Sequence, residues 1–307
     1  MINFRYHLLS LTAVFLALTV GLILGTAALN GPAVEILSDR VSNLTSANDS
    51  LRAEINELQD ELADDQEFAS IAAPYVLEGT LAAEETMIVA LPGVDSDTVD
   101  QVEAMLGYTE ASVAGRMMIL DDFFDPTNND SLADLADRTA PEGFEVPVTF
   151  DGVEAISSVL AAVTMAEGSD EEVSNSDRTA VLSGLTEMGM LTIDADPTGE
   201  ATSVIVLTGG TATDSGAEAR NDGVVTFADT FASTAHTVLG GTTSAGDGNP
   251  LATVRNDEDT ALSTVDNVSS TQGEVAVVAA LAALAADGTI SHLGTGSEAE
   301  GLLPAAS

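Results

Sequence analysis

The chain has 307 residues, of which 50 are acidic and 8 basic, so its formal net charge is −42. Every basic residue is Arg, and the sequence contains no Cys. Nucleic-acid binding depends on cations that neutralise phosphate, so this charge argues against DNA and RNA as partners. The lack of Cys excludes disulfides, thiolate nucleophiles, thiolate zinc sites and iron–sulfur clusters. Two general explanations of the acidity remain open: adaptation to a salty environment, or a surface that prevents aggregation.

The N-terminal segment 1–31 predicts a cytoplasmic leader followed by a transmembrane anchor. Arg5 and His7 precede an uncharged apolar run, residues 8–29, that would span roughly 33 Å as a helix and contact the lipid bilayer. Because positive charge near a membrane helix stays in the cytoplasm, we expect the C-terminal part to be extracytoplasmic. A cleaved signal peptide is the alternative, although its apolar core is usually only about 7–15 residues long.

Small residues follow one face of this anchor. Ala17, Gly21 and Gly25 recur every four residues, a spacing that allows two membrane helices to approach closely. Gly31-Pro32 follows and predicts a break before the next helix.

Residues 32–73 carry a heptad repeat, which predicts a parallel, dimeric coiled-coil stalk. β-Branched residues at the first position with Leu at the second favour two strands, and a lone Asn at the first position fixes the register. An amphipathic helix packed on its own domain is the alternative, although such helices usually have a wider apolar face. The predicted dimer interface consists of Val34, Val41, Asn48, Ile55 and Leu62 at the first position, with Leu37, Leu44, Leu51 and Leu58 at the second.

Residues 74–301 predict an α/β domain with a mostly parallel sheet, followed by a tail at 302–307. Short apolar runs predict buried strands at 86–91, 116–120, 203–207, 223–227 and 237–239. Helical spacing predicts helices at 97–106, 152–165 and 177–188 between them. The acidic stretch 167–176 is either a linker between two lobes or a long surface loop. A last helix is predicted from a capping box at Thr271 and Glu274 to a stop at Asp287-Gly288.

No catalytic motif is present. The chain contains no Gly-x-Ser-x-Gly elbow, His-Glu-x-x-His helix, P-loop or Gly-x-Gly-x-x-Gly fingerprint, so we expect no enzymatic activity and no cofactor. The glycine-containing loops 208–211 and 240–243 follow predicted strands, where open α/β sheets often bind ligands, although turns alone also explain such glycines.

Ligands for soft metal ions are poorly represented. Thioether and imidazole groups bind soft and borderline transition-metal ions, yet Met is also a common residue of apolar cores. The weak candidates for a metal site are Met117, Met118, Met188, Met190, His236 and His292.

Both ends of the chain resemble a known family. The N-terminal sequence MINFRYHLLSLTAVFLALTVGLILG, followed by the stalk, is similar to the actinobacterial family named for mycobacterial copper transport protein B. Leu262–Val268 (LSTVDNV) and the helix beginning at Gln272-Gly273 look like a second signature of that family. The resemblance implies an envelope protein linked to copper export or homeostasis, with copper as an associated metal, and some relatives act at the dividing envelope.

Two functions therefore remain open. The resemblance implies a role in copper export or homeostasis. The anchor, stalk and head alone favour a dimeric envelope scaffold that binds a cell-division or cell-wall partner and has no transport activity of its own.

Overall fold

The computed structural model describes residues 4–169, 173–213, 216–244, 246, 248–257, 259–296 and 298–305, with only the backbone described at 28–33. The first three residues of the predicted leader, residues 170–172 of the acidic stretch and the last two residues of the tail lie outside the described residues.

The described residues form a series of helices and strands. The helices are α1 (Phe4–Leu77), α2 (Ser96–Leu106), α3 (Asn129–Thr139), α4 (Gly152–Thr164), α5 (Asn175–Glu187), α6 (Ala217–Ala232), α7 (Pro250–Arg255) and α8 (Thr271–Asp287). The strands are β1 (Glu85–Ala90), β2 (Ser112–Ile119), β3 (Leu191–Ala195), β4 (Ser203–Thr208), β5 (His236–Gly241), β6 (Ser263–Val265) and β7 (His292–Leu293).

The chain divides into two units, Met1–Asp65 and Gln66–Ser307. The described residues of the first unit, 4–65, lie within α1, and the segment Phe4–Ala27 is long and apolar enough to cross a membrane, with a mean hydropathy of 2.4. The predicted break at Gly31-Pro32 is wrong, because α1 continues through both residues. A Pro removes one helical hydrogen bond, and its local cost of about 3 kcal/mol is tolerated in a long helix whose other bonds are intact.

The second unit is built on one seven-stranded sheet with the strand order β3-β2-β1-β4-β5-β6-β7. All neighbouring strands are parallel except β2 and β3, which are antiparallel. The expected α/β fold with a mostly parallel sheet is thus confirmed. Strands from both sides of the acidic stretch join this sheet.

Apolar side chains cover both faces of the sheet. Helices α3 to α7 pack on one face in a first core cluster that includes Phe123, Phe227 and Phe231. Helices α2 and α8 pack on the other face in a second cluster, together with Ala73 and Leu77 from the end of α1. Alternate residues of β1 enter the two clusters, Met87 and Val89 the first and Ile88 and Ala90 the second. This is the pattern of a sheet buried on both faces.

The predicted strand at 223–227 is wrong, because these residues lie inside α6. Val224, Phe227 and Phe231 are buried at helical spacing on one side of α6. Gly223 lies against the ring of Phe124, where an added Cβ would stand 2.9 Å from Cδ1 of the ring. Packing by a helical face therefore overrides the strand preference of two adjacent valines.

The last helix and its N-cap each begin one residue earlier than predicted. Ser270, rather than Thr271, is the N-cap, and its hydroxyl accepts a hydrogen bond of 3.2 Å from the Gly273 amide. Glu274 consequently does not cap the helix but is buried. The predicted stop is confirmed, because Gly288 ends α8 in the left-handed conformation.

Candidate functional site

The order of the strands creates a topological switch point between β1 and β4. The chain leaves β1 through α2 on one face of the sheet, and it leaves β4 through α6 on the other face. The two loops therefore separate at the carboxyl ends of neighbouring parallel strands. In open α/β sheets ligands bind in the crevice formed at such a point.

A cavity of about 440 Å³ lies at this switch point, within the size range of small-molecule sites. We call it the switch crevice. The loop after β1, the turn after β2, the end of β4 and the first turns of α6 form its wall. Its lining residues are Pro92, Gly93, Asp121, Phe124, Thr208, Gly210, Ala212, Arg220, Asn221 and Val224.

Two contacts hold the loops of the switch crevice together. The Gly209 amide donates a 3.3 Å hydrogen bond to the Pro92 carbonyl, and an added Cβ at Gly209 would lie 2.6 Å from that oxygen. Only glycine permits this close approach. The Asn221 side chain accepts a hydrogen bond of 3.0 Å from the Ala212 amide and donates one of 3.2 Å to the Ala212 carbonyl. The loop after β4 is thus fixed to the helix that follows it.

Charges of opposite sign line the same crevice. Asp121 begins the 3₁₀ turn after β2 and is exposed, whereas Arg220 is half-buried in α6. Hydrogen bonds from the backbone and side chain of Thr127 lower the pKa of nearby Asp125, and the positive charge of Arg220 adds to this effect. The Arg220 guanidinium is therefore close enough to stabilise the ionised form of Asp125.

The second glycine-containing loop, 240–243, has a structural role. The Gly241 carbonyl accepts a hydrogen bond from the Val268 amide, and the Thr242 carbonyl accepts one from the Ser269 hydroxyl. An added Cβ at Gly240 would lie 3.0 Å from both Leu207 and Val268. The segment leading into α8 thus fills the space beyond β5.

A buried ion pair joins β6, α7 and the last strand. Arg255 donates hydrogen bonds to Asp266 at 2.9 Å, to the Thr264 hydroxyl at 2.8 Å and to the Leu293 carbonyl at 2.6 Å. Both charged side chains are fully buried. Asp266 also accepts bonds from the amides of Thr295 and Gly296. Asp266 lies in the LSTVDNV segment, so this part of the second signature holds the C-terminal strands in place.

The weak metal candidates are spread over the head. Met117 and Met190 are buried in the first cluster and Met188 packs against it, whereas Met118 packs against the second cluster on the opposite face. His236 begins β5. His292 lies in β7, where its Nδ1 atom is 3.0 Å from the Thr264 hydroxyl. Among the described residues, no group of three or more His, Asp or Glu side chains is placed to hold a metal ion.

The predicted interface residues all lie on the exposed surface of α1 within the first unit. The large apolar side chains of the heptad face are 53 to 70% exposed, and Asn48 is exposed among them. Ala17 and Gly21 are exposed as well, and Gly25 is partly exposed, in the apolar segment. Nothing within 4 Å would meet a Cβ added to Gly21 or Gly25.

Sequence reasoning identified the loop 208–211 but missed Asp121 and Arg220. Asp121 could have been found as the first charged residue after the β2 apolar run. Arg220 lies in α6, whose N-cap residue is Gly216. Because glycine has no side chain that could cap the helix, no local capping signal indicates that a helix begins there.

Comparison with known proteins places the chain in a family. The family model for the copper transport outer membrane protein MctB matches residues 1–304. The copper transporters MctB of Mycobacterium tuberculosis and Mycobacterium bovis are each 27% identical over 310 residues, covering 96% of this chain and 97% of theirs. The copper transporter MctB of Mycobacterium leprae is 25% identical over the same coverage. The expected resemblance is confirmed: the chain belongs to the MctB family.

Proposed function

We propose that this protein is a dimeric, single-pass envelope protein that takes part in copper export or homeostasis through a partner, without forming the ion path itself. The N-terminus lies in the cytoplasm, Phe4–Ala27 crosses the membrane, and the α/β head is extracytoplasmic. Family membership supports the link to copper, and the long apolar segment Phe4–Ala27 supports membrane anchoring.

The exposed heptad face of α1 supports pairing with a second copy. Val34, Leu37 and Leu44 are each more than 60% exposed, and exposure of a continuous apolar face to water is unfavourable. A parallel partner covers this face, and Asn48 then meets Asn48 of the second copy.

An indirect role in copper handling follows from the available side chains. Residues 8–29 contain no charged residue that could line an ion path. The candidate methionines lie in two apolar clusters on opposite faces of the sheet, where packing is sufficient to explain them. The partner, rather than this chain, then supplies the route for the ion.

A scaffold for a cell-division or cell-wall partner is a second candidate function. Val148 and Phe150 are fully exposed on the segment before α4, although both side chains are large and apolar. Exposed apolar residues clustered on a head are typical of protein-binding surfaces. This role requires no transported ion.

Gene deletion separates the two functions. If the copper role holds, deletion raises cellular copper and lowers copper tolerance, and the wild-type gene restores both. Unchanged copper together with aberrant septa would contradict the copper role and support the scaffold.

Direct ligation is tested by one variant with Met117→Leu, Met118→Leu, Met188→Leu and Met190→Leu. Met and Leu are similar in volume, so each change in a core costs less than about 1.5 kcal/mol. We expect this variant to restore copper tolerance as well as the wild type does. Loss of tolerance in a variant that retains its thermal unfolding transition would show that the methionines bind the ion.

A further inference from the structure

A groove of about 810 Å³ lies beside the segment that precedes α4. We call it the acidic groove. The turn after β2, the first turns of α3 and α6, and residues 149–151 line it. It shares the side chain of Phe124 with the switch crevice, but Arg220 does not line it.

Two large apolar side chains stand in water on this segment. Val148 and Phe150 are fully exposed, at 107% and 102%. The backbone that carries them is nevertheless fixed, because the Asn129 side chain donates a 3.0 Å hydrogen bond to the Phe150 carbonyl and accepts one of 2.7 Å from the Gly152 amide. Hydrogen bonds thus hold the Phe150 ring away from the core. An aromatic side chain presented on a fixed backbone is typical of interface anchors, since little freedom is lost on binding.

Two carboxylates give the groove a negative charge. Asp130 and Asp222 line it and are exposed, and no described residue forms a hydrogen bond or an ion pair with either side chain. Two further carboxylates of the groove are already engaged: Asp151 caps α4, and the positive charge of Arg220 acts on Asp125. Among the described residues that line the groove, none is basic.

The charge of the groove excludes several classes of occupant. Phosphates, anionic headgroups and nucleic acids are repelled both by the groove and by the net charge of −42. A second copy of the chain has the same excess of acidic residues and is repelled as well. A metal cation would neutralise the carboxylates but leave Val148 and Phe150 in water. The best occupant therefore combines positive charge with an apolar surface.

We propose that the acidic groove binds a segment of a partner protein in which Arg or Lys residues lie next to large aliphatic residues. The cationic side chains pair with Asp130 and Asp222, and the aliphatic side chains pack on Val148 and Phe150. A guanidinium group can also lie over the Phe150 ring, because the face of an aromatic ring attracts cations. The inference rests on the partner binding that the proposed functions require, and it names the chemistry of that partner.

Three matched peptides test this proposal on the full-length protein in detergent micelles, at about 0.15 M salt, where exposed charges are screened beyond about 8 Å. Fluorescence anisotropy compares labelled acetyl-Arg-Leu-Arg-Leu-Arg-amide with a peptide in which Ser replaces both Leu residues and with one in which Glu replaces every Arg. Binding to empty micelles is subtracted. We expect the Arg-Leu peptide to bind at least tenfold more tightly than either of the others. General attraction to an acidic surface would act equally on the Arg-Leu and Arg-Ser peptides.

Substitution of the apolar side chains assigns their contact. Val148→Ser combined with Phe150→Ser should weaken the Arg-Leu peptide at least tenfold and leave the Arg-Ser peptide unchanged. Both side chains are fully exposed, so the thermal unfolding transition of the head should not move.

Removal of the carboxylates assigns the charged contact. Asp130→Asn combined with Asp222→Asn should weaken the Arg-Leu peptide at least tenfold. The matched control is Glu187→Gln combined with Asp196→Asn, which removes two exposed carboxylates that do not line the groove and should leave the affinity unchanged.

Complementation of a deletion strain separates this inference from the proposed functions. If the gene with Val148→Ser and Phe150→Ser failed to restore the strain while the purified wild-type protein bound no peptide, the surface would still serve a partner but the basic chemistry proposed here would be wrong.

Three results of the titrations would overturn the proposal. The first is the absence of saturable binding of the Arg-Leu peptide up to about 1 mM. The second is equal affinity for the Arg-Leu and Arg-Ser peptides, since Val148 and Phe150 would then contribute nothing. The third is equal weakening by the groove pair and the control pair of charge substitutions, since the attraction would then come from the whole acidic surface.

Discussion

Large apolar residues are mostly exposed in the first unit of this chain and mostly buried in the second. In the unit Met1–Asp65, Leu44 is 70% exposed on a single helix, as are its apolar neighbours along the heptad face. In the unit Gln66–Ser307, Leu132 and Leu160 are fully buried in a core cluster on one face of the sheet. The difference lies in topology, because a sheet covered on both faces buries its own apolar residues and a lone helix cannot.

This contrast indicates which part of the protein needs other molecules. The head buries its core apolar side chains and the Arg255–Asp266 ion pair among its own strands and helices, although the buried Glu274 Oε1 atom has no hydrogen-bond partner among the described residues. In the proposed function, the apolar segment of the first unit lies in lipid and its heptad face pairs with a second copy. Stability of the head and association of the stalk should therefore respond to different substitutions.

The largest effect is expected from charges placed in the heptad face. Leu44→Asp combined with Leu51→Asp removes two buried Leu contacts from each of two copies, at about 1.5 kcal/mol or more per side chain. The dimerisation affinity should fall by more than about 10⁴-fold, so the double variant should sediment as a monomer in detergent.

The matched control places the same charges on the opposite side of the same helical turns. Ser46→Asp combined with Ala53→Asp should leave the dimer intact, and neither pair of changes should shift the unfolding transition of the head. A dimer that survives Leu44→Asp with Leu51→Asp would show that the heptad face is not the interface.

A second prediction concerns the head alone. Asp266→Ala leaves Arg255 charged and buried without its carboxylate, so the free energy of unfolding should fall by about 3–5 kcal/mol. Denaturant unfolding of the full-length protein measures this loss, and the sedimentation of the dimer should not change.

The control for the buried ion pair is a partly exposed ion pair, which joins Arg116 and Asp100. Asp100, 2.5 Å from the Arg116 guanidinium, has a side chain that is 61% exposed. Asp100→Asn should therefore cost about 1 kcal/mol or less. If Asp266→Ala and Asp100→Asn lowered the free energy of unfolding equally, burial would not make the Arg255–Asp266 pair more important for stability.

A smaller effect follows from Glu274. Burial raises the pKa of its carboxyl group to about 7, from an ordinary value of 4.5. The folded state therefore holds this proton more tightly than the unfolded state does. The stability contributed by the proton is complete below about pH 4.5 and is lost as the pH rises to about 7.

Glu274→Gln should remove this dependence. The variant should match the wild type near pH 4.5 and exceed its stability by about 1–3 kcal/mol at pH 8. Glu187→Gln, on the exposed end of α5, serves as the control and should leave the slope of stability against pH unchanged. If the stability of Glu274→Gln fell with rising pH as steeply as that of the wild type, Glu274 would not be the source of the pH dependence.

Local sequence patterns predicted the parts of the fold that depend on local packing. The apolar runs of β1, β2, β4 and β5 indicated buried strands because both faces of this sheet are covered. The short strands β6 and β7 were not predicted, because their two or three residues join the sheet through long-range contacts such as the Arg255 network. The strand predicted at 223–227 failed because the next large apolar residue, Phe231, lies beyond the short window that suggested a strand.

The candidate site was predicted only in part. The loop 208–211 stood out because glycines follow an apolar strand. Asp121 and Arg220 come from segments 99 residues apart in the sequence, and only the strand order brings them to one cavity. No local pattern encodes that order.

The central claim is that the exposed heptad face of the first unit pairs in parallel register with a second copy. Because the chain contains no Cys, Asn48→Cys introduces a single thiol at a position expected to face itself. Mild oxidation in membranes should convert this variant to a covalent dimer, whereas Ser46→Cys, on the outer face of the same turn, should remain monomeric on a denaturing gel. Monomers in both variants, or equal crosslinking in both, would contradict the claim.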